Sequence, residues 1–147
     1  MGGGKVFENR VLLAALLAGF IAQILKVIVN YLVKGKIDFR LFVTSGGMPS
    51  SHTALVVALA TGVCRELGWN SIEFAIAVVF ALIVMYDAAG VRRAVGKQAE
   101  VLNIIMADVV HRGKFREERL KELLGHTPKE VFAGGVLGLI VACFYVP

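Results

Sequence analysis

Four stretches of this 147-residue chain are apolar over most of their length, and this pattern limits the fold more than any single residue does. They cover residues 11–33, 54–67, 72–86 and 131–146. A helix needs about 20 consecutive apolar residues to cross the hydrocarbon core of a bilayer. The second stretch reaches 17 residues only if it starts at Ser51, a length suited to a thin or protein-shielded part of a bundle. The chain is 57% hydrophobic with a mean hydropathy of +0.73, above the roughly half-apolar composition of a soluble domain. The expected fold is an all-α integral membrane helical bundle with about four transmembrane helices, forming a single domain over residues 1–147.

The first stretch is too long for a signal-peptide core and lacks a small-residue cleavage site after it, so it is expected to remain as a membrane anchor. Cys64 and Cys143 lie in or beside apolar stretches, where packing is their default role. The net charge of +5 is better explained by cytoplasmic loops and anionic headgroups than by nucleic acid, which is not expected as a partner. Residues 68–71, Gly-Trp-Asn-Ser, form a tight link that makes the second and third stretches an antiparallel hairpin. Within it, Asn70 and Glu73 have capping-box spacing and Trp69 is an interfacial anchor. From about 94 to 125 the chain is polar, with an amphipathic helix expected over 98–110 and a charged run over 111–122. This segment is read as a surface excursion on the membrane, with a solvated loop as the alternative.

Alternating spans bring the end of the first stretch, the start of the second, the end of the third and the start of the fourth to one membrane face. Twelve basic residues fall there, from Lys34, Lys36 and Arg40 through Arg92, Arg93 and Lys97 to Lys129, against Lys5, Arg10 and Arg65 on the other. The positive-inside rule makes the crowded face cytoplasmic in a multi-pass protein of the cell membrane.

The residues able to carry chemistry gather on that face. Gln23, Lys26, Asn30 and Lys34 recur at intervals of three and four, so they share a helical stripe expected to face the bundle interior. A lysine inside a membrane is costly enough to be a functional candidate, although snorkelling or pairing with Asp87 would also account for Lys26. The segment from Ser45 to Ala54, Ser-Gly-Gly-Met-Pro-Ser-Ser-His-Thr-Ala, leads directly into an apolar helix. Helix-start N–H groups and the hydroxyls of Ser50 and Ser51 can hold a phosphate, and His52 can protonate a leaving oxygen. An ordinary serine-capped helix start would look the same. Tyr86-Asp87-Ala88-Ala89-Gly90-Val91-Arg92-Arg93 brings two guanidiniums to the interface, where they either clamp phosphate or simply complement the helix end. His126 and Glu130 are four residues apart, so the carboxylate can orient the imidazole as a nucleophile. Thr127, Pro128 and Glu130 also make a capped helix start, which accounts for Glu130 but not for His126.

Together these segments resemble the type 2 phosphatidic acid phosphatase superfamily, and especially its divergent branch related to acid phosphatases and vanadium-dependent haloperoxidases. The resemblance runs from about Gln23 to Gly138 and is most specific at Gly46 to His52, Tyr86 to Arg93 and His126 to Gly138. It implies that Ser50 and Ser51 bind phosphate, that His52 is the general acid, and that His126 is the nucleophile with Glu130 orienting it. One of Arg92 and Arg93 would be the phosphate clamp. Ser51 stands where the superfamily has glycine, and Glu130 where it has aspartate. The arginine that usually lies six positions before the nucleophilic histidine is here separated from it by the polar segment. The first superfamily motif, a lysine followed by Arg-Pro, is represented only by Lys34 and Arg40, which is followed by Leu41, or by Lys26.

The activity this implies is hydrolysis of a lipid phosphomonoester through a phosphohistidine, with membrane and lipid phosphate as partners. No cofactor or metal is expected, because three histidines without an accompanying carboxylate cluster do not make a metal-ligand set. The rival from another class is a non-catalytic membrane protein that binds anionic lipid or a partner on its basic face. A transporter using the Lys26 stripe would require a homo-oligomer, since four helices leave little room for a pathway.

Overall fold

A computed structural model of the chain describes residues 8–35, 47–91, 96, 98–106 and 127–147. Helix α1 spans Arg10–Lys34, α2 Ser51–Leu67, α3 Ile72–Tyr86 and α4 Pro128–Tyr145. Residues 98–106 are also helical, and no strand occurs among the described residues. The chain therefore folds as an all-α membrane bundle. Among the described residues, three helical stretches are long and apolar enough to cross a bilayer: Arg10–Lys34, Ile72–Gly90 and Pro128–Tyr145. At 17 residues α2 is shorter, and it is the element that packs against each of the other three.

Local chemistry sets the helix ends. Asn9 caps α1 by accepting a hydrogen bond from the Leu12 N–H at 2.9 Å, and Gly35 ends it in the left-handed conformation at φ 65°. Ser71 caps α3, its hydroxyl oxygen accepting from the Phe74 N–H at 3.2 Å. The capping box expected from Asn70 and Glu73 is therefore not formed: the cap lies one residue later, which puts Glu73 second rather than third in the helix. Trp69 is exposed beside this turn and meets Phe74 edge to face, with ring centroids 5.2 Å apart.

The bundle has small residues inside and large ones outside. Its central cluster is Ala18, Ala22, Ala54, Ala58 and Ala142, flanked by Leu137 and Val141. Among the described residues no leucine, isoleucine, phenylalanine or tryptophan is buried, whereas Phe20, Leu32, Ile72, Phe132 and Phe144 are all more than half exposed. In water such a surface would drive aggregation. In lipid it is the expected arrangement, because helices there associate through close backbone packing rather than by sequestering bulky apolar groups.

Four glycines fix the packing. Gly19 of α1 lies over Leu55 and Ser51 of α2, while Gly62 of α2 lies against Val11 of α1, so these helices run antiparallel. On α4, Gly134 packs on the Ser50 carbonyl and Thr53, and one turn later Gly138 packs on the Ala54 carbonyl and Ala58. Numbers rise together in that contact, so α2 and α4 run parallel and both begin on the same face. At the end of α3, residues Asp87–Val91 form a π-helical turn that touches α4, and Ala88 within it is buried.

Candidate active site

The N-termini of α2 and α4 are joined directly. The Ser50 N–H, at the cap of α2, donates to the Glu130 carbonyl oxygen in the first turn of α4 at 3.0 Å. Two parallel helices thus present their starts side by side, and each contributes the partial positive charge of its helix N-terminus. Gly134 makes the junction possible, because any side chain there would enter the space of the Ser50 carbonyl.

Each start is also held by its own cap. Ser50 is fully buried, and its hydroxyl oxygen accepts from the Thr53 N–H at 3.4 Å and from the Thr53 hydroxyl at 3.0 Å. Both acceptor positions of Ser50 thus serve the helix, and the donor capacity of its hydroxyl is what it can offer a ligand. Ser51 is buried in the first turn, whereas His52 is exposed there, so the two neighbours point to different surroundings. At α4 the Thr127 hydroxyl oxygen accepts from the Glu130 N–H at 3.4 Å, and the Thr127 N–H donates to Glu130 Oε2 at 3.0 Å. This reciprocal capping box engages one carboxylate oxygen of Glu130.

Of the polar stripe on α1, Lys26 is 2% exposed, Gln23 and Asn30 are half-buried, and Lys34 is exposed. The expectation that the whole stripe faces inward therefore fails at Lys34, which lies in the last turn just before Gly35 ends the helix. Lys26 continues the buried face of Ala18 and Ala22. Its stem lies against Gly47, three residues before the Ser50 cap. Arg40, Arg92, Arg93 and His126 lie outside the described residues, as do 107–110 of the expected amphipathic helix and most of the 94–125 excursion.

Three elements meet here: Lys26 of α1 lies against Gly47, just before the Ser50 cap of α2, and Ser50 is bonded to Glu130 in the first turn of α4, whereas His52 is exposed at the start of α2. The π-helical turn that leads to Arg92 and Arg93 touches α4 as well. Gly47 and Gly134 carry packing roles that motif spacing alone does not reveal. Gly134, Gly138 and Ala142, each four residues apart, carried the signal of a close helix contact. A cleft at the opposite end of the bundle, lined by Asn9, Arg10, Glu66 and Glu73 among others, contains none of the predicted site residues.

A family model described as the divergent PAP2 family matches residues 7–141. The chain is also 43% identical over 148 aligned positions to the uncharacterized membrane protein YuiD of Bacillus subtilis (strain 168), with 93% of this chain and 94% of that relative covered. No solved structure matches the chain significantly.

Proposed function

Because the chain belongs to the divergent PAP2 family, we propose that it is a membrane lipid-phosphate phosphatase that hydrolyses a phosphomonoester through a phosphohistidine, without a metal. The observation that carries this is the 3.0 Å hydrogen bond from the Ser50 N–H to the Glu130 carbonyl. It sets side by side the two helix starts that bear the histidine motifs: His52 is two residues after Ser50, and His126 immediately precedes the Thr127 cap.

In the proposed reaction His126 attacks phosphorus in line with the leaving oxygen, the phosphorus–oxygen bond breaks, and His52 gives that oxygen a proton. Glu130 stabilises the positive charge on His126. A water molecule then attacks the phosphohistidine, yielding a proton to His52 and releasing inorganic phosphate. Charge on the equatorial oxygens is met by the paired helix starts, by Ser50 and Ser51, by Arg92 or Arg93, and by basic residues drawn from Lys26, Lys34 and Arg40. The apolar outer surface of the bundle lets a lipid keep its tails in the bilayer while its phosphate enters from the interface. The basic residues on this face orient it toward the cytoplasm, and a phosphatidate-like, phosphatidylglycerophosphate-like or polyprenyl phosphate fits equally.

The test is phosphate release from a panel of these lipids by the purified protein in detergent with chelator present, comparing the parent with His52→Ala and His126→Ala. Release in chelator that either change abolishes is the expected result. A folded parent that binds these lipids but releases no phosphate from any of them refutes the assignment in favour of anionic-lipid binding.

A further inference from the structure

Gly47 occupies a backbone conformation that side chains resist, with φ at +90°. The space a side chain would take there is already filled. An ideal Cβ on Gly47 would lie 3.0 Å from Lys26 Cγ, 3.2 Å from Cδ and 3.9 Å from Cε. These carbons lie along the stem of the lysine, so a methyl group at 47 requires the stem of Lys26, and not merely its tip, to give by a few tenths of an ångström. That side chain has little freedom to yield, because Lys26 is 2% exposed and continues the tightly packed face of Ala18 and Ala22. Three residues beyond Gly47, Ser50 makes the hydrogen bond that joins α2 to α4.

We propose that Gly47 is a positioning residue: by presenting no side chain it lets the stem of Lys26 lie across the turn before α2, and so delivers a buried cation from α1 to the shared start of α2 and α4. The glycine is thus required twice over, once for its φ and once for the room it leaves. A lysine within a membrane helix is retained at a substantial cost, and the joint gives that charge a fixed destination. The chemical consequence rests on the phosphatase proposal, whereas the joint itself does not.

The experiment is a double-mutant cycle on the full chain in detergent with Gly47→Ala, Lys26→Ala and the pair, read by the thermal unfolding midpoint. Gly47→Ala is expected to lower the midpoint less in the Lys26→Ala background than in the parent, because the collision is gone and only the backbone strain remains. Equal lowering in both backgrounds overturns the joint. If Gly47→Ala fails to fold, Gly47→Asn carries the same test, since asparagine tolerates positive φ better while keeping the Cβ. The second readout is phosphate release. Gly47→Ala is expected to reduce kcat/KM by about 10-fold or more, with no further loss when it is added to Lys26→Met. Losses that multiply show that Gly47 does not act through Lys26. A parent that releases no phosphate from any lipid phosphate refutes the phosphatase proposal alone, and the unfolding cycle still decides the joint.

Discussion

Gly134→Ala tests whether the contact between α2 and α4 sets the site. Its Cβ would enter the space of the Ser50 carbonyl oxygen and lie 3.1 Å from Thr53 Cβ and 3.2 Å from the Ser50 carbonyl carbon. Backbone cannot yield as a side chain can, so the start of α4 must move off α2 by about 1 Å, a gap that forfeits a quarter to a half of the dispersion attraction along the contact. The same movement breaks or lengthens the 3.0 Å bond from Ser50 to Glu130. Overpacking of about 1–3 kcal/mol and a hydrogen bond of about 1 kcal/mol give a destabilisation of about 2–4 kcal/mol. Gly135, the next residue, is an internal control. Its Cβ would meet only Thr53 Cγ2 and Val57 Cγ2, both at 3.9 Å, an ordinary contact distance. Gly135→Ala should therefore leave stability unchanged or raise it by up to about 1 kcal/mol through better helix propensity. The assay is unfolding in detergent of both variants beside the parent, with phosphate release measured on each. Equal stabilities for the two alanine variants refute the close backbone contact, and full release by a stable Gly134→Ala refutes its control of the site.

Caps at opposite ends of the bundle should have separable effects. Ser71→Ala and Thr127→Ala each remove a side-chain cap and should destabilise by about 1 kcal/mol in unfolding measurements. Only Thr127→Ala should also lower phosphate release, because it loosens Glu130, and Thr127→Ser should restore it. Gly62→Ala places a Cβ 2.9 Å from Val11 Cγ1, a clash with one branch of a side chain, so it should destabilise less than Gly134→Ala in the same unfolding assay, and Val11→Ala should reverse the loss. Orientation can be tested with single cysteines at Lys5 or Lys114 in a chain lacking Cys64 and Cys143. An impermeant maleimide should label Lys5→Cys on intact cells and Lys114→Cys only after permeabilisation, and the reverse pattern overturns the cytoplasmic placement.

The helices were legible in the sequence because their apolar runs end at strong stop and start signals. The serine at 50, Thr127-Pro128 and Gly35 each mark a boundary that local hydrogen bonding then enforces. Where two good caps stand together, as at Asn70 and Ser71, spacing alone does not choose between them, since the outcome depends on whether the Ser71 hydroxyl meets the Phe74 N–H or the Asn70 side chain meets the Glu73 N–H. The inside-out packing was less visible. Hydropathy sums over a helix and so cannot say that the alanine and glycine face turns inward while Phe20 and Phe132 turn to lipid. Alternating spans account for the starts of α2 and α4 sharing a face, yet the specific link from Ser50 to Glu130 is a backbone contact and leaves no trace in side-chain identity beyond Gly134. The stripe on α1 faces inward at Lys26 but not at Lys34, because periodicity carries no information on where the helix leaves the bundle. The π-helical turn after Tyr86 had no distinct sequence signature.

The most direct test of the account is capture of the covalent intermediate. Purified protein is mixed with a lipid labelled in its phosphate, quenched within milliseconds under alkaline conditions that preserve phosphohistidine, and mapped by peptide. Label on His126 that is lost in His126→Ala and chased into free phosphate is the predicted result. Turnover with no label on His126, or with the label on another side chain, contradicts it.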